Sequence, residues 1–232
     1  MSQVEVPGRE RTTIVICAKN EEQNLGDVLR AAQPFAAQML VVDGHSRDRT
    51  CEVAIAAGAQ VIQDHGKGKG DAIRTAISHV RTDITVFMDA DGSHDAQDIP
   101  RLVAPILAGK ADHVSGSRLL GGSSELHGGF DECFRLMGSS FITACINWRF
   151  KVCLSESQNG FRAIRTDVLR QLDLRSNITT IEQEMIMKTL KKGFRMGEVP
   201  AHEYCRKAGI SNIRLGRVAF RYGWAVVANL FG

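Results

Sequence analysis

No two of the six cysteines (Cys17, Cys51, Cys133, Cys145, Cys153, Cys205) form a Cys-x-x-Cys pair, and none stands with histidine at zinc-finger spacing. That excludes a small structural zinc site and leaves reduced, mostly buried thiols as the expectation. Nowhere does the sequence hold an uninterrupted run of about 18 apolar residues, and the opening stretch MSQVEVPGRERTT has no apolar centre. Neither a membrane-spanning helix nor an export signal is therefore expected, and the chain reads as cytoplasmic. Net charge is equally scarce: 29 Lys and Arg against 26 Asp and Glu leave +3, too little for general nucleic-acid binding. There is no internal repeat. What remains is ordinary globular composition, 44% hydrophobic and 24% charged over 232 residues. This suffices for one core carrying a nucleotide-binding half and an extension.

From Thr12 onward, short β-branched runs alternate with segments of helical period, the pattern of an α/β fold with a mostly parallel sheet flanked by helices. Strands are expected over Thr13–Cys17, Met39–Val42, Gln60–Gln63, Ile84–Met88 and His113–Ser115. Helices are expected over Glu22–Ala32, Asp48–Ala57, Asp71–Val80 and Asp98–Leu107, with Pro100 suited to the first turn of the last. The Gly- and Ser-rich stretch LLGGSSELHGG reads as a flexible loop between two halves. A C-terminal extension follows, with helices over Phe134–Trp148 and Thr180–Lys191 and strands over Phe161–Ile164, Arg195–Val199 and His202–Cys205.

Ligands of open parallel sheets bind beyond the carboxyl ends of the strands. That rule joins Cys17–Glu21, Asp43–Asp48 and Asp89–Asp95 into one candidate site. In VFMDADGSHD, Asp89 and Asp91 stand two residues apart after an apolar strand and can face one cation. Mg2+ or Mn2+ takes such oxygen ligands and bridges diphosphate oxygens. Taken alone, Asp-x-Asp is far more often a solvated acidic turn, so its position at a strand end carries the argument. Glu21 and Asp43 can reach the same crevice as acceptors for ribose hydroxyls and base N–H groups. Their plainer readings are a helix-start charge and a turn residue, and Asp48 reads best as a helix N-cap. HGKGKGDAIRTA has neither P-loop nor dinucleotide-fingerprint spacing. Its Lys69 is equally a phosphate contact at a helix start or part of a plain turn.

Taken together, CAKNEE, VVDGHSRDRT, GKGDAIRTA, DADGSH, GSR, NGFRAIR, EQEM and KKGFRMGEVP resemble, in order and approximate spacing, family 2 glycosyltransferases of the GT-A (Rossmann-like) fold. They cover nearly the whole chain and are most similar to dolichol-phosphate mannose synthases and other polyprenyl-phosphate glycosyltransferases. The resemblance implies a nucleotide-sugar-binding half over 1–118, an acceptor-binding half over 119–212 and an amphipathic helix over 213–232. It implies that Ala18, Glu21 and Asp43 contact the nucleoside, and that Asp89 and Asp91 hold the metal and diphosphate. Arg118 would lie near the transferred sugar or acceptor phosphate and Glu184 near the sugar hydroxyls. Arg206, Lys207 and Ser211 in YCRKAGISN would close over the diphosphate or lipid phosphate; a solvated basic turn is the plainer alternative. Cys17, Lys19, Gly44, Ser93 and Asn212 depart from residues common in these relatives, which leaves guanosine or uridine, and the sugar, open.

The implied reaction is transfer with inversion from a nucleotide-diphosphate sugar, GDP-mannose or a UDP-hexose, to a polyprenyl or dolichyl phosphate, with Mg2+ or Mn2+. A saccharide hydroxyl acceptor would require a carboxylate base, with Asp131 or Glu132 as candidates. Nucleotidyl transfer and a non-catalytic nucleotide-sugar-binding module are the more distant alternatives; the first lacks its GxGTR-type loop here. In the tail IRLGRVAFRYGWAVVANLFG, Arg214, Arg217 and Arg221 stand at helical spacing beside Val218, Phe220, Trp224, Val227 and Phe231. Such a helix fits a peripheral membrane contact, or packing on the core or another subunit.

Overall fold

The computed structural model describes residues 6–124 and 130–205, with backbone alone over 130–136. β1 (Thr12–Ala18) forms the middle of the parallel half of the sheet and is buried almost end to end. Its side chains alternate between two cores. Ile14 and Ile16 face one cluster together with Val28 and Leu29 of α1 (Leu25–Ala32) and Leu102 of α4 (Ile99–Leu107). Val15 faces the other, with Ile73 of α3 (Lys69–Ile77), Val168 of α7 (Thr166–Gln171) and Met185 of α8 (Ile181–Lys191). A strand covered on both faces reads as a continuous apolar run, which is how TTIVICA reads. Each such buried aliphatic side chain contributes about 1.5–3 kcal/mol.

The remaining strands are β2 (Gln38–Asp43), β3 (Gln60–Gln63), β4 (Ile84–Asp89), β5 (His113–Ser117), β6 (Arg162–Arg165) and β7 (Met196–Pro200). They join β1 in one seven-stranded sheet of order β3-β2-β1-β4-β6-β5-β7. β6 runs antiparallel to both β4 and β5, and every other pair is parallel. The expected α/β architecture, a mostly parallel sheet flanked by helices, is the architecture observed. The other α-helices among the described residues are α2 (Thr50–Ala56), α5 (Arg118–Gly121) and α6 (Phe130–Phe150).

Several expected boundaries move, each for a local reason. α1 starts at Leu25, not Glu22, because Asn20 takes the left-handed conformation and Asn24 N–H closes a tight turn onto the Glu21 carbonyl. α3 starts at Lys69, two residues earlier than expected, after Gly68 at φ 115°. Asp48 is not the residue flanking α2, a place taken by Arg49; its carboxylate still accepts the Thr50 amide and ties the Glu22 amide across the crevice. The strand expected over His202–Cys205 is absent. Beyond β7 that segment runs beside loops rather than a strand, so Glu203 makes only isolated bridges with His94 and Ser123. The five described cysteines are unpaired, but Cys153 and Cys205 are exposed, contrary to the expectation of burial.

Asp112, just ahead of β5, ties the end of β6 and the approach to β7 to it. Its carboxylate accepts the Arg195 amide, two Arg195 guanidinium N–H groups and Arg165 Nη1, at 2.9 to 3.1 Å. The Arg195 hydrogen bonds outweigh burial and hold the carboxyl well below the usual carboxylate range. A carboxylate depressed on folding stabilises fully above its unfolded pKa, and that contribution is lost as pH falls through the folded value. Asp112→Asn is therefore expected to cost about 2–3 kcal/mol near neutral pH, and to flatten the acid limb of the stability curve. Thermal denaturation across pH reads both effects.

Candidate active site

Strand register brings the candidate residues together. In adjacent rungs of the parallel half, Ala18 of β1 pairs with Asp43 of β2, and Cys17 of β1 pairs with Asp89 of β4. After β1 the chain builds outward to β2 and β3, then returns to place β4 on the other side of β1. The strand order reverses between β1 and β4, which is where a parallel sheet opens a crevice beyond its carboxyl ends. Asp43 is buried, and its carboxylate accepts the Ser46 amide and Gln63 Nε2; these bonds outweigh burial and keep it below its usual range. Glu21 accepts a hydrogen bond from Asn24 Nδ2, while its amide donates to Thr50 Oγ1.

At the end of β4 the chain turns through Asp89-Ala90-Asp91-Gly92, with Gly92 at φ 76°. Asp91 is nearly buried, and its Oδ1 accepts both the amide and the hydroxyl of Ser93, at 3.1 and 2.7 Å. Ser93, which departs from residues common in the relatives, thus donates twice to Asp91 and helps to orient it. His94 stacks on Phe161 at 4.8 Å and accepts the Asp89 amide through Nδ1. Burial pulls this imidazole below its ordinary pKa although Asp89 and Asp91 oppose the shift.

Lys69 is the first residue of α3 and is partly buried. Its ammonium bridges Asp89 Oδ1 at 2.6 Å and Glu182 Oε1 at 2.8 Å. Burial alone would lower this amine, but Asp89 and then Glu182 outweigh it and hold the charge above the ordinary lysine range. The bridge passes directly over Gly160, where a Cβ would stand 2.8 Å from both Lys69 Nζ and Asp89 Oδ2. Beside it, fully buried Arg162 donates to the carbonyls of Glu182 and Asn159 and fixes the 159–160 turn. Gly160 and Arg162 lie within NGFRAIR and Glu182 within EQEM, but nothing local in those motifs marks them as partners of Asp89.

Arg118, the first residue of α5, sits in a bracket of two carboxylates. Its Nε donates to Glu156 at 2.6 Å, its Nη1 to Glu203 at 2.8 Å, and its amide to Glu156 as well. Burial raises the Glu156 carboxyl, and Arg118 only partly offsets that. Through Glu203, Arg118 is tied to the Asp-x-Asp loop. Glu203 bridges His94, and the Tyr204 amide donates to the Ser93 carbonyl.

Glu184 is not brought to this cluster. Its carboxylate accepts the amides of Arg175 and Ser176 and pairs with Lys188, so it holds the loop ahead of α8. The acid of α8 that reaches Lys69 is Glu182, on another side of the helix. Arg206, Lys207, Ser211 and the 213–232 tail lie outside the described residues, as do the side chains of Asp131 and Glu132.

Among the described residues no group of three or more His, Cys, Asp or Glu side chains could hold a metal ion. Among the described residues, Asp89 and Asp91 are the two hard carboxylates that would hold a divalent cation at this turn. That donor set fits Mg2+ or Mn2+, since Mg2+ is commonly bound by one or two carboxylates plus substrate phosphates.

A family model described as Glycosyl transferase family 2 matches residues 13–172. Glycosyltransferase AglJ of Haloferax volcanii is 28% identical over 93% of this chain and 71% of its own length. The dolichyl-phosphate hexose transferase of the same organism is 28% identical over 84% of this chain and 83% of its own. Among solved structures, glucosyl-3-phosphoglycerate synthase from Mycobacterium tuberculosis with Mn2+, uridine diphosphate and phosphoglyceric acid superimposes with a TM-score of 0.75. It is 20% identical, covering 97% of this chain and 79% of that one, and shows a shared fold.

Proposed function

Since this chain belongs to glycosyl transferase family 2, we propose that it moves a hexose, with inversion, from GDP-mannose or a UDP-hexose to a polyprenyl or dolichyl phosphate. The observation that carries the reading is the Asp89–Asp91 turn at the carboxyl end of β4, beside Ala18 and Asp43 at the strand-order reversal. The dolichyl-phosphate hexose transferase, aligned over most of both chains, supports the acceptor class. The Mn2+ and uridine diphosphate bound by the solved neighbour support a metal-assisted nucleotide donor.

In this reading Ala18, Glu21 and Asp43 receive the nucleoside, and Asp89 and Asp91 hold Mg2+ or Mn2+. A divalent cation there supplies charge neutralisation for the leaving nucleoside diphosphate. Lys69 and Glu182 keep Asp89 aimed, Ser93 keeps Asp91 aimed, and Arg118 lies toward the transferred sugar or acceptor phosphate. A phosphate acceptor arrives already anionic, so attack on the anomeric carbon needs alignment and charge stabilisation more than a strong base. A hydroxyl acceptor would need such a base. Glu156 has the raised carboxyl for it, but two bonds from Arg118 already occupy that group.

The test offers a panel of labelled nucleotide sugars with polyprenyl phosphate, with Mg2+, with Mn2+ and under chelation. Label is expected to become lipid-extractable only when a divalent ion is present. Transfer solely to soluble hydroxyl acceptors would overturn the lipid acceptor, and full-rate transfer under rigorous chelation would overturn the metal.

A further inference from the structure

α6 carries an apolar face that nothing among the described residues covers. Met137, Phe141 and Trp148 are 62%, 71% and 69% exposed, and Ala144 between them is exposed too. Their spacing of four, three and four residues places all four on one side of the helix. The other side is spent on the fold, where Ile142, Ile146 and Phe150 pack with Ile186, Met187 and Leu190 of α8.

Positive charge gathers at the C-terminal end of that face. Lys151 Nζ stands 5.8 Å over the Trp148 ring, and the Arg149 guanidinium 5.2 Å over Phe150. The end of α8 adds Lys191 and Lys192, both exposed. The Lys191 ammonium is lowered by burial and then by Arg149 and Lys188, so these cations feel one another. None of Arg149, Lys151, Lys191 and Lys192 has a carboxylate partner among the described residues. Segments 137–151 and 188–197 contain no Asp or Glu at all.

We propose that the outer face of α6, with its basic end, docks on the surface of an anionic lipid bilayer, Trp148 and Phe141 entering the headgroup region. An exposed apolar stripe that ends in tryptophan and cations matches the chemistry of that interface. Charge argues against the other occupants. A second copy docked on this face would set like-charged clusters together. Residues 206–232 of the same chain bring Arg206, Lys207, Arg214, Arg217 and Arg221 and no acid. α6 also touches the site's wall: Thr143 Oγ1 meets Ser157 Oγ at 2.8 Å, and Asn147 brackets Leu154, on the loop that carries Glu156. Docking there would set the Arg118–Glu156 edge of the crevice beside the membrane. The inference goes beyond the proposed reaction and requires neither donor nor acceptor.

The chain has two tryptophans, Trp148 and Trp224, so the full-length Trp224→Phe variant isolates emission from Trp148. Vesicles of phosphatidylcholine with phosphatidylglycerol are expected to shift that emission to the blue and to sediment the protein; phosphatidylcholine alone should do much less, and salt should weaken both effects. Arg149→Gln with Lys151→Gln should weaken partitioning on the order of thirtyfold, and Phe141→Ser by at least about tenfold. Phe141, Arg149 and Lys151 are exposed, so the melting temperature should hold and serve as the folding control. Four results overturn the proposal: sedimentation with Trp148 emission unmoved, which assigns binding to another surface; a shift that grows with protein concentration without vesicles, which assigns a second copy; emission already blue in the free chain and released by truncation after residue 205, which assigns the chain's own C-terminal segment; or a response to polyglutamate but not to vesicles, which assigns an acidic protein.

Discussion

Asp91→Ala is expected to lower kcat by about three orders of magnitude or more, while the protein stays folded. Three decades correspond to about 4 kcal/mol of transition-state stabilisation, within what a metal acting on a leaving diphosphate supplies. The alanine variant also removes the acceptor for the Ser93 amide and hydroxyl, so the turn itself could be blamed for the loss. Asp91→Asn separates the two causes. An amide oxygen can still accept from Ser93, but the charge that would bind a cation is gone. Both variants should be equally inactive, and both should lose Mn2+ binding measured directly by magnetic resonance. An active asparagine variant beside a dead alanine variant would mean that Asp91 only shapes the turn.

Gly160→Ala is expected to cost about a hundredfold in activity with little change in melting temperature. The added Cβ would sit 2.8 Å from Lys69 Nζ and Asp89 Oδ2, both at the ends of flexible side chains. The side chains can therefore yield while the backbone stays, and Asp89 swings from its place. A misplacement of about 1 Å in a positioned catalytic group can cost that much. Gly70→Ala makes the contrast. Its Cβ would run into the backbone carbonyl of Ser176, which cannot swing aside, so the loss should appear first in stability. If Gly160→Ala were fully active with normal Mn2+ affinity, the Lys69–Asp89 pair would have no part in holding the site.

Much of the frame was legible in the chain. Apolar runs of strand length, each ending in a polar turn, marked the parallel half to within a residue or two, because burial on both faces leaves little freedom in composition. The antiparallel insertion of β6 was not legible. Phe161–Ile164 has the same apolar character whichever way it runs, and direction is set by which neighbour it pairs with. Glu182 and Glu184 show the same limit at the scale of one residue. Two positions apart on a helix they point roughly 200° from each other, so only one can face the cluster. The motif EQEM names both and cannot say which way the helix is turned.

By itself the sequence determined the strand-end acidic turn of Asp89 and Asp91, the acidic and small residues after β1 and β2, and the α/β architecture that puts them on one edge. These follow from local patterns, since a strand's end and the turn after it are adjacent in the chain. Only the tertiary structure decided that Lys69 pairs with Asp89 and Glu182, that Gly160 must be bare beneath them, and that Arg118 is bracketed by Glu156 and Glu203. Those contacts join residues far apart in sequence, and their partners are chosen by strand order and helix phase, which packing of the whole core sets.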